Sequence, residues 1–222
     1  MAALTWDAVG ARFYETGIDK GVLYLPNGSG VYDTGFAWNG LVSVTESPSG
    51  AEANPQYADN IKYLNLLSAE DFGGTIEAFT FPDKFALCDG TAYAKAGVGL
   101  GQQSRKSFGL SYRTKLGNDV TGVDYGYKLH LVYGCLASPS EKQYQTVNDS
   151  PEALTFSWDF TTTPAPVTGF KPTSVITINS KAATLVPADL AALETLLYGD
   201  ATNEPKLPTP DEVIALFTAA AP

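Results

Sequence analysis

The only histidine of this 222-residue chain, His130, is the side chain best suited to acid–base catalysis or metal binding near neutral pH. It lies in the run 127–133, where tyrosine and leucine residues alternate with Lys128, His130 and Val132. Successive side chains of a strand point to opposite faces, so this alternation predicts a half-buried strand with His130 on its more polar face. A metal site needs further ligands, and a catalytic relay needs a serine or cysteine placed by the fold. We therefore interpret His130 as a structural residue.

The other polar clusters fit turns better than they fit catalytic or binding sites. The glycine-rich stretch 97–107 lacks the Gly-x4-Gly-Lys-Ser/Thr spacing of a phosphate-binding loop. The stretch 117–126 has too sparse an alternation of oxygen ligands for a calcium loop, and its Asn, Asp and Gly residues favour a turn. Glu77 and Asp83 could act as a glycosidase pair only at a separation that a sequence does not define. We expect no catalytic residue, no metal and no cofactor.

The cysteines and the N-terminal residues indicate the compartment in which the chain folds. Cys88 and Cys135 are the only cysteines, too few for a disulfide scaffold, and both flank strand-like runs. We expect buried, reduced thiols, with a disulfide as the alternative. The first residues lack the basic region and apolar segment of a signal peptide, and no apolar run reaches membrane-spanning length. These features predict folding in a cytosol without membrane insertion.

Alternating apolar and polar residues predict six or seven β-strands. The clearest is 154–160, where Phe156, Trp158 and Phe160 share one face and Ser157 lies on the other. Such a strand packs one face against a core. The remaining candidate strands are 21–25, 41–46, 74–81, 107–116, 127–133 and 174–180. In 107–116 the same alternation predicts that Ser111, Arg113 and Lys115 point outward, away from the inward phase of Phe108, Leu110, Tyr112 and Thr114.

Helical patterns are confined to the last part of the chain. Residues 186–199 begin near a proline, end at a glycine and carry leucines at helical spacing. Residues 209–217 begin with the capping-box pair Thr209 and Glu212. The stretch 66–72 is a third candidate, for a short helical turn.

Two long segments, 47–60 and 137–153, are rich in proline, glycine and small polar residues, and we expect them to be loops. Segment 161–173 is read as a proline-rich turn between strands rather than a linker. The sequence thus predicts one mainly β (α+β) domain over residues 1–222. Its core would be a β-sandwich or β-barrel with one or two flanking helices and long assembly loops.

Charge is the strongest bias of the composition. The chain has 14 basic and 24 acidic residues, a formal net charge of −10. Binding of nucleic acid through its phosphates requires clustered cations, so this class of function is excluded for the chain as a whole. Against this background the run 104–115 has Arg105, Lys106, Arg113 and Lys115 and no acid. This run is either a solvated face or a surface that meets carboxylates of another subunit, such as those of the acidic part 173–222.

Several phrases of the sequence resemble the major tail proteins of long-tailed bacteriophages and related prophages. They are "ESPSGAEANPQYADNIKY" (46–63) and "SPSEKQYQTVNDSPEA" (138–153), within the collinear segments 38–90, 101–164 and 207–217. The resemblance covers most of the chain and depends on whole phrases rather than on a catalytic motif.

The resemblance implies a structural protein of the virion, assembled in the bacterial host cytoplasm. Subunits of this family form rings, typically hexameric, that stack into a hollow tail tube, and strands of all subunits join around the channel. The implied partners are other copies of the chain and the tape measure, tail terminator and distal tail proteins. DNA passes through the tube without specific binding, and an acidic lumen would repel its phosphates. No enzymatic activity, catalytic residue or cofactor is implied.

Charged and aromatic residues of the two long segments and of the basic run are therefore the expected contacts between subunits. They are Glu52, Asn54, Tyr57, Asp59, Arg105, Lys106, Arg113, Lys115, Glu141, Lys142 and Tyr144. The alternative class is a monomeric carbohydrate-binding or hydrolase-like β-sandwich, whose strand aromatics would line a sugar platform. The two classes differ in solution mass, because a binding module stays monomeric and a tube protein polymerises.

Overall fold

The computed structural model describes residues 3–146, 149 and 153–217, and this part of the chain folds mainly into antiparallel strands. The strands are β1 (Phe13–Pro26), β2 (Tyr32–Ala37), β3 (Leu41–Glu46), β4 (Ser49–Gly50), β5 (Ala53–Ala58), β6 (Ile61–Leu67), β7 (Glu70–Asp71), β8 (Gly73–Ala78), β9 (Ala92–Lys95), β10 (Val98–Leu100), β11 (Phe108–Asn118), β12 (Gly122–Ala137), β13 (Phe156–Thr162) and β14 (Val175–Asn179). The helical segments are a 3₁₀ turn (Asp83–Leu87), α1 (Pro187–Tyr198) and α2 (Pro210–Leu216).

One antiparallel sheet of eight strands forms the body of the molecule. Its order is β2-β1-β11-β12-β13-β8-β3, and β14 also pairs with β12. The sheet folds over so that β3 approaches β1, where a Cβ on Gly21 would lie 2.9 Å from Leu41 Cδ2. The predicted fold class, a mainly β sandwich with few helices, is confirmed.

Strand β12 bends at Gly134 and changes the face that each side chain occupies. Before the bend, Leu131 and Tyr133 pack under the helices, whereas Cys135, after it, packs between the two layers. Gly134 has a φ of 63°, and a Cβ there would lie 2.3 Å from the Thr163 carbonyl oxygen, so only glycine fits. The bend lets β12 pair with β14 in its middle, over residues 128–132, and with β13 at its end, over residues 135–137.

The space between the two layers is filled by aromatic side chains. Trp158 is fully buried, with its ring centroid 5.1 Å from that of Phe85 and 5.9 Å from that of Trp38. Phe160 is also buried, whereas Ser157 is half-buried on the other face, so the predicted core face of 154–160 is confirmed. Large aromatic side chains contribute much of the apolar burial that stabilises a small domain.

Helices α1 and α2 cover the opposite face of β11 and β12 and form a second core. Leu193 and Leu197 of α1 pack there with Tyr24, whose hydroxyl donates to the Leu197 carbonyl over 2.8 Å. Ser111, predicted to point outward, is fully buried and lies 3.1 Å from the Tyr24 hydroxyl, so that prediction is wrong. Strand β11 is buried on both faces, because the helices cover the face that its sequence alternation predicts to be exposed to solvent.

Both predicted helices are present, and the capping box of Thr209 and Glu212 is formed. Neither described helix has the length and apolar character needed to cross a bilayer. Cys88 and Cys135 are buried and free, as expected for reduced thiols, and burial raises the pKa of Cys88 to about 12.

Two local predictions are wrong. Segment 47–60 is not an irregular loop, because it contains β4 and β5, and 66–72 is the end of β6 followed by β7 rather than a helical turn. Strands β5 and β6 pair across Asp59 and Asn60, whose φ angles of 52° and 60° are those that Asp and Asn tolerate in tight hairpin turns. Segment 137–153 leaves β12 at Ala137, and its residues 147, 148 and 150–152 lie outside the described part.

Candidate functional site

A hairpin projects from the sandwich and exposes apolar side chains along its length. This long hairpin, residues 49–71, contains β4 to β7, and every residue of β5 and β6 is exposed. Tyr57 and Leu67 are each 71% exposed. The other large apolar side chains exposed on it are Ile61, Tyr63, Leu64 and Leu66. Exposed apolar side chains beside unpaired strand edges favour association with another polypeptide.

The base of the long hairpin is fixed to the sandwich by backbone hydrogen bonds. Ser47 N–H donates to the Gly73 carbonyl over 2.8 Å, and Ala51 N–H donates to the Ala69 carbonyl over 3.2 Å. These bonds continue the pairing of β3 with β8, two strands of the main sheet. The hairpin is therefore an extension of regular structure rather than a loose excursion.

A second, short hairpin (residues 91–106) contains β9 and β10. It includes Lys95 on β9 and, in the segment that follows β10, Arg105 and Lys106, the first two cations of the basic run. Tyr93, Val98 and Leu100 are exposed on it. Lys95 and Lys106 are exposed and form no ion pair within the described residues. The short hairpin thus combines exposed apolar groups with free positive charge.

His130 belongs to a network at the base of the long hairpin. The Tyr112 hydroxyl donates to Glu46 Oε1 over 2.5 Å, and His130 Nδ1 lies 3.2 Å from the same oxygen. The His130 and Tyr112 rings stack with centroids 4.7 Å apart, and His130 Nε2 lies 3.0 Å from Thr114 Oγ1. The strand prediction for His130 is confirmed, and its side chain is buried among these polar partners.

The order Thr114–His130–Glu46 is that of a nucleophile, a base and an orienting carboxylate, which sequence reasoning missed. Acyl transfer by such a relay also needs oxyanion donors beside a cleft that admits substrate. Four surface clefts were compared in the described part of the chain, residues 3–146, 149 and 153–217. Thr114 lines none of these four clefts. The contacts themselves connect the last residue of β3 to β11 and β12, so they position the base of the long hairpin.

The Glu46 carboxylate gives this network a defined pH dependence. Its contact with His130, and after that the Tyr112 hydroxyl, hold the pKa of Glu46 below its ordinary value, while partial burial opposes them. A carboxylate with a lowered pKa stabilises the folded state above the ordinary carboxyl pKa of about 4.3, and this contribution is lost as the pH falls through the folded-state value.

We expect Glu46→Gln to lower the free energy of unfolding at pH 7, because the amide cannot carry the charge that these donors stabilise. The deficit relative to wild type should begin to shrink as the pH falls below the ordinary carboxyl value of about 4.3, and it should vanish only below the lowered folded-state pKa, where Glu46 of the folded wild type is protonated as well. Urea unfolding at pH 7 and at low pH measures both values. Glu77→Gln is the matched control, since Glu77 accepts only from Ser43 and has no such network. A deficit independent of pH would contradict the assignment.

The predicted contact residues differ in whether their side chains are exposed and in whether they already have a partner within the chain. Those on the long hairpin, Glu52, Asn54, Tyr57 and Asp59, are all exposed and remain free to meet a partner. Lys115 is half-buried on β11.

Several of the other predicted contacts are used within the chain. Arg113 forms a bidentate pair with Asp19 at 2.7 and 2.9 Å, and this hydrogen bond lowers the pKa of Asp19. Arg105 and Lys142 both approach the Asp89 carboxylate. Intramolecular pairing therefore already neutralises part of the basic run.

The remaining predicted contacts are exposed, whereas two of their proposed acidic partners already form hydrogen bonds within the chain. Tyr144 is 72% exposed, and Glu141 is exposed beside it. In the acidic part 173–222, Asp211 accepts from Thr168 and Glu212 caps α2, so these carboxylates stabilise local structure. The long hairpin exposes six large apolar side chains, and both hairpins carry charged groups that form no ion pair in the described part of the chain.

Comparison with known proteins finds no matching protein-family model and no similar curated protein. The fold and the surfaces define the chain as a mainly β sandwich with two exposed, partly apolar hairpins. The resemblance to tail proteins stays a prediction, and the function follows from the physical properties of these surfaces.

Proposed function

We propose that the protein is a subunit of the tail tube of a long-tailed bacteriophage or prophage. Copies of the chain assemble into stacked rings, hexameric as in the family that it resembles, around a channel for DNA. Its further partners are the tape measure, tail terminator and distal tail proteins, and it acts in the virion after assembly in the host cytoplasm. The proposal assigns no catalytic activity and no cofactor to the protein.

The observation that carries the proposal is the long hairpin. Large apolar side chains exposed in this number on one hairpin favour association, because exposed apolar surface on a soluble protein marks a site of interaction. A structural subunit needs such a surface on a rigid body, and the long hairpin continues strands of the main sheet. Polymerisation through projecting elements also covers exposed strand edges.

The net charge of −10 supports the same function. A channel for DNA must not bind phosphates, and an acidic protein repels them at short range. A tube of stacked rings also requires a subunit body that keeps its shape, and the sandwich with its two buried cores is such a body.

The test is the state of the purified full-length chain as its concentration is raised. We expect sedimentation velocity to show monomer at low concentration and larger species above a threshold, and negative-stain microscopy to show rings or tubes. A chain that stays monomeric at all concentrations contradicts the proposal.

One cleft favours the alternative, a monomeric carbohydrate-binding module. Phe13 and Tyr125 lie there with ring centroids 5.2 Å apart, beside Asn179 and Lys181. Aromatic faces beside amide and amine donors suit the stacking and hydrogen bonding of sugars. Binding of a glycan by the monomer, abolished in Tyr125→Ala, would support this function instead of assembly.

A further inference from the structure

The two projecting hairpins carry opposite charge. The short hairpin has Lys95, Arg105 and Lys106 and no acid, a net charge of +3. Among these residues only Arg105 has a carboxylate partner, Asp89, at 3.8 Å, in the described part of the chain. The positive charge of this hairpin is therefore largely unneutralised within one subunit.

The long hairpin has the opposite sign. It carries four acids and one lysine, a net charge of −3, and its acids form no ion pair within the described residues. The acids are Glu52, Asp59, Glu70 and Asp71. All four are exposed. Their negative charge is therefore also available to a partner.

Apolar groups accompany the charge on both sides. Tyr57 and Leu67 on the long hairpin, and Tyr93 and Leu100 on the short one, are exposed large side chains. An apolar centre with a charged rim is the usual composition of a specific protein interface. Complementary charge at such a rim sets the partner and the register of the contact.

We propose that the long hairpin of one subunit docks against the short hairpin of a second copy of this chain. The proposal rests on the proposed function and names the surfaces that join neighbouring subunits. Within one subunit the two hairpins belong to separate two-stranded sheets that share no strand pairing. Because the two surfaces differ, the contact is head-to-tail, and repetition of it closes a ring or extends a filament.

Two variants with reversed charge test the docking. The first reverses the long hairpin by Glu52→Lys and Glu70→Lys, and the second reverses the short hairpin by Lys95→Glu and Lys106→Glu. Each alone places like charges across the contact, so we expect its assembly threshold to rise at least about tenfold. In an equal mixture, the two variants can alternate along a ring or filament. Every contact between neighbouring subunits then has opposite charges on its two hairpins. Assembly of the mixture should return to near the wild-type threshold.

Matched controls reverse the same number of exposed charges elsewhere. They are Asp124→Lys with Glu204→Lys, and Lys84→Glu with Lys171→Glu, all at exposed positions. These controls should assemble at the wild-type threshold. Circular dichroism and melting of each monomer show that the variants are folded. A single chain with both hairpins reversed provides a second rescue, independent of mixing.

The outcomes separate this inference from the function on which it rests. Rescue in the mixture and in the doubly reversed chain supports the docking. If wild type assembles and the reversed variants assemble equally well, or if neither rescue succeeds, the docking is wrong while the tube function stands. If wild type does not assemble at any concentration, the proposed function itself is wrong.

Discussion

Replacing Trp158 with alanine is expected to lower the free energy of unfolding by about 3–5 kcal/mol, the usual loss for a fully buried large aromatic side chain. The Trp158 ring lies at the centre of the interlayer core, with ring centroids of Phe85 and Phe81 at 5.1 and 5.3 Å. At about 2–4 °C per kcal/mol for a chain of this size, the melting temperature should fall by about 6–20 °C. Calorimetry of the monomer measures this fall.

Two variants make the test of Trp158 specific. Ser157→Ala, on the other face of β13, should change stability by less than about 0.5 kcal/mol. Trp158→Phe should retain much of the stability, because it keeps an aromatic ring and removes an indole N–H that has no acceptor among the described residues. Equal losses at positions 157 and 158 would show that the core face of β13 is wrongly assigned.

Removal of the long hairpin should abolish assembly and leave the monomer folded. In this variant residues 51–69 are replaced by Asn-Gly, a pair suited to a two-residue hairpin turn between β4 and β7. Since β5 and β6 are exposed throughout, their removal costs the cores no packing. We expect a melting temperature within a few degrees of wild type, about 1 kcal/mol at most, and no rings or tubes by microscopy.

Single substitutions make a matched comparison for the deletion. Leu67→Ser changes a side chain on the long hairpin that is 71% exposed, and Phe170→Ser changes one elsewhere that is 75% exposed. Only the first should raise the assembly threshold. Normal tubes from the deletion variant would exclude the long hairpin from assembly.

Sequence alternation predicted the strands best where one face of the sheet is open. At 154–160 the aromatic phase is buried and Asp159 is exposed, as the pattern implies. At 107–116 the same pattern predicts that Ser111 is exposed, which is wrong. The helices that cover this face lie more than seventy residues further along the chain, and the local pattern contains no information on them. Local periodicity identifies a strand but does not identify what covers it.

The candidate sites depended even more on contacts between distant residues. His130 could be recognised as a strand residue, but Thr114 meets it through the pairing of β11 with β12, and Glu46 meets it only because the folded sheet brings the end of β3 close to these two strands. The composition of segment 47–60 predicts a loop, although Asp59 and Asn60 are a turn signal that also fits the pairing of two strands. The exposure of the apolar side chains of the long hairpin could not be predicted from the sequence, because it depends on which other elements pack against the hairpin in the folded chain.

Strand β12 is a member of both cores, because successive side chains along it point to opposite faces. Leu131 belongs to the core beneath the helices, and Val132, its neighbour, belongs to the core between the layers. Neither core can melt without disrupting the other, so the body unfolds as one cooperative unit. If the proposed docking joins the subunits of a polymer, we expect such a body to move rigidly under mechanical load and the deformation to be confined to the hairpins.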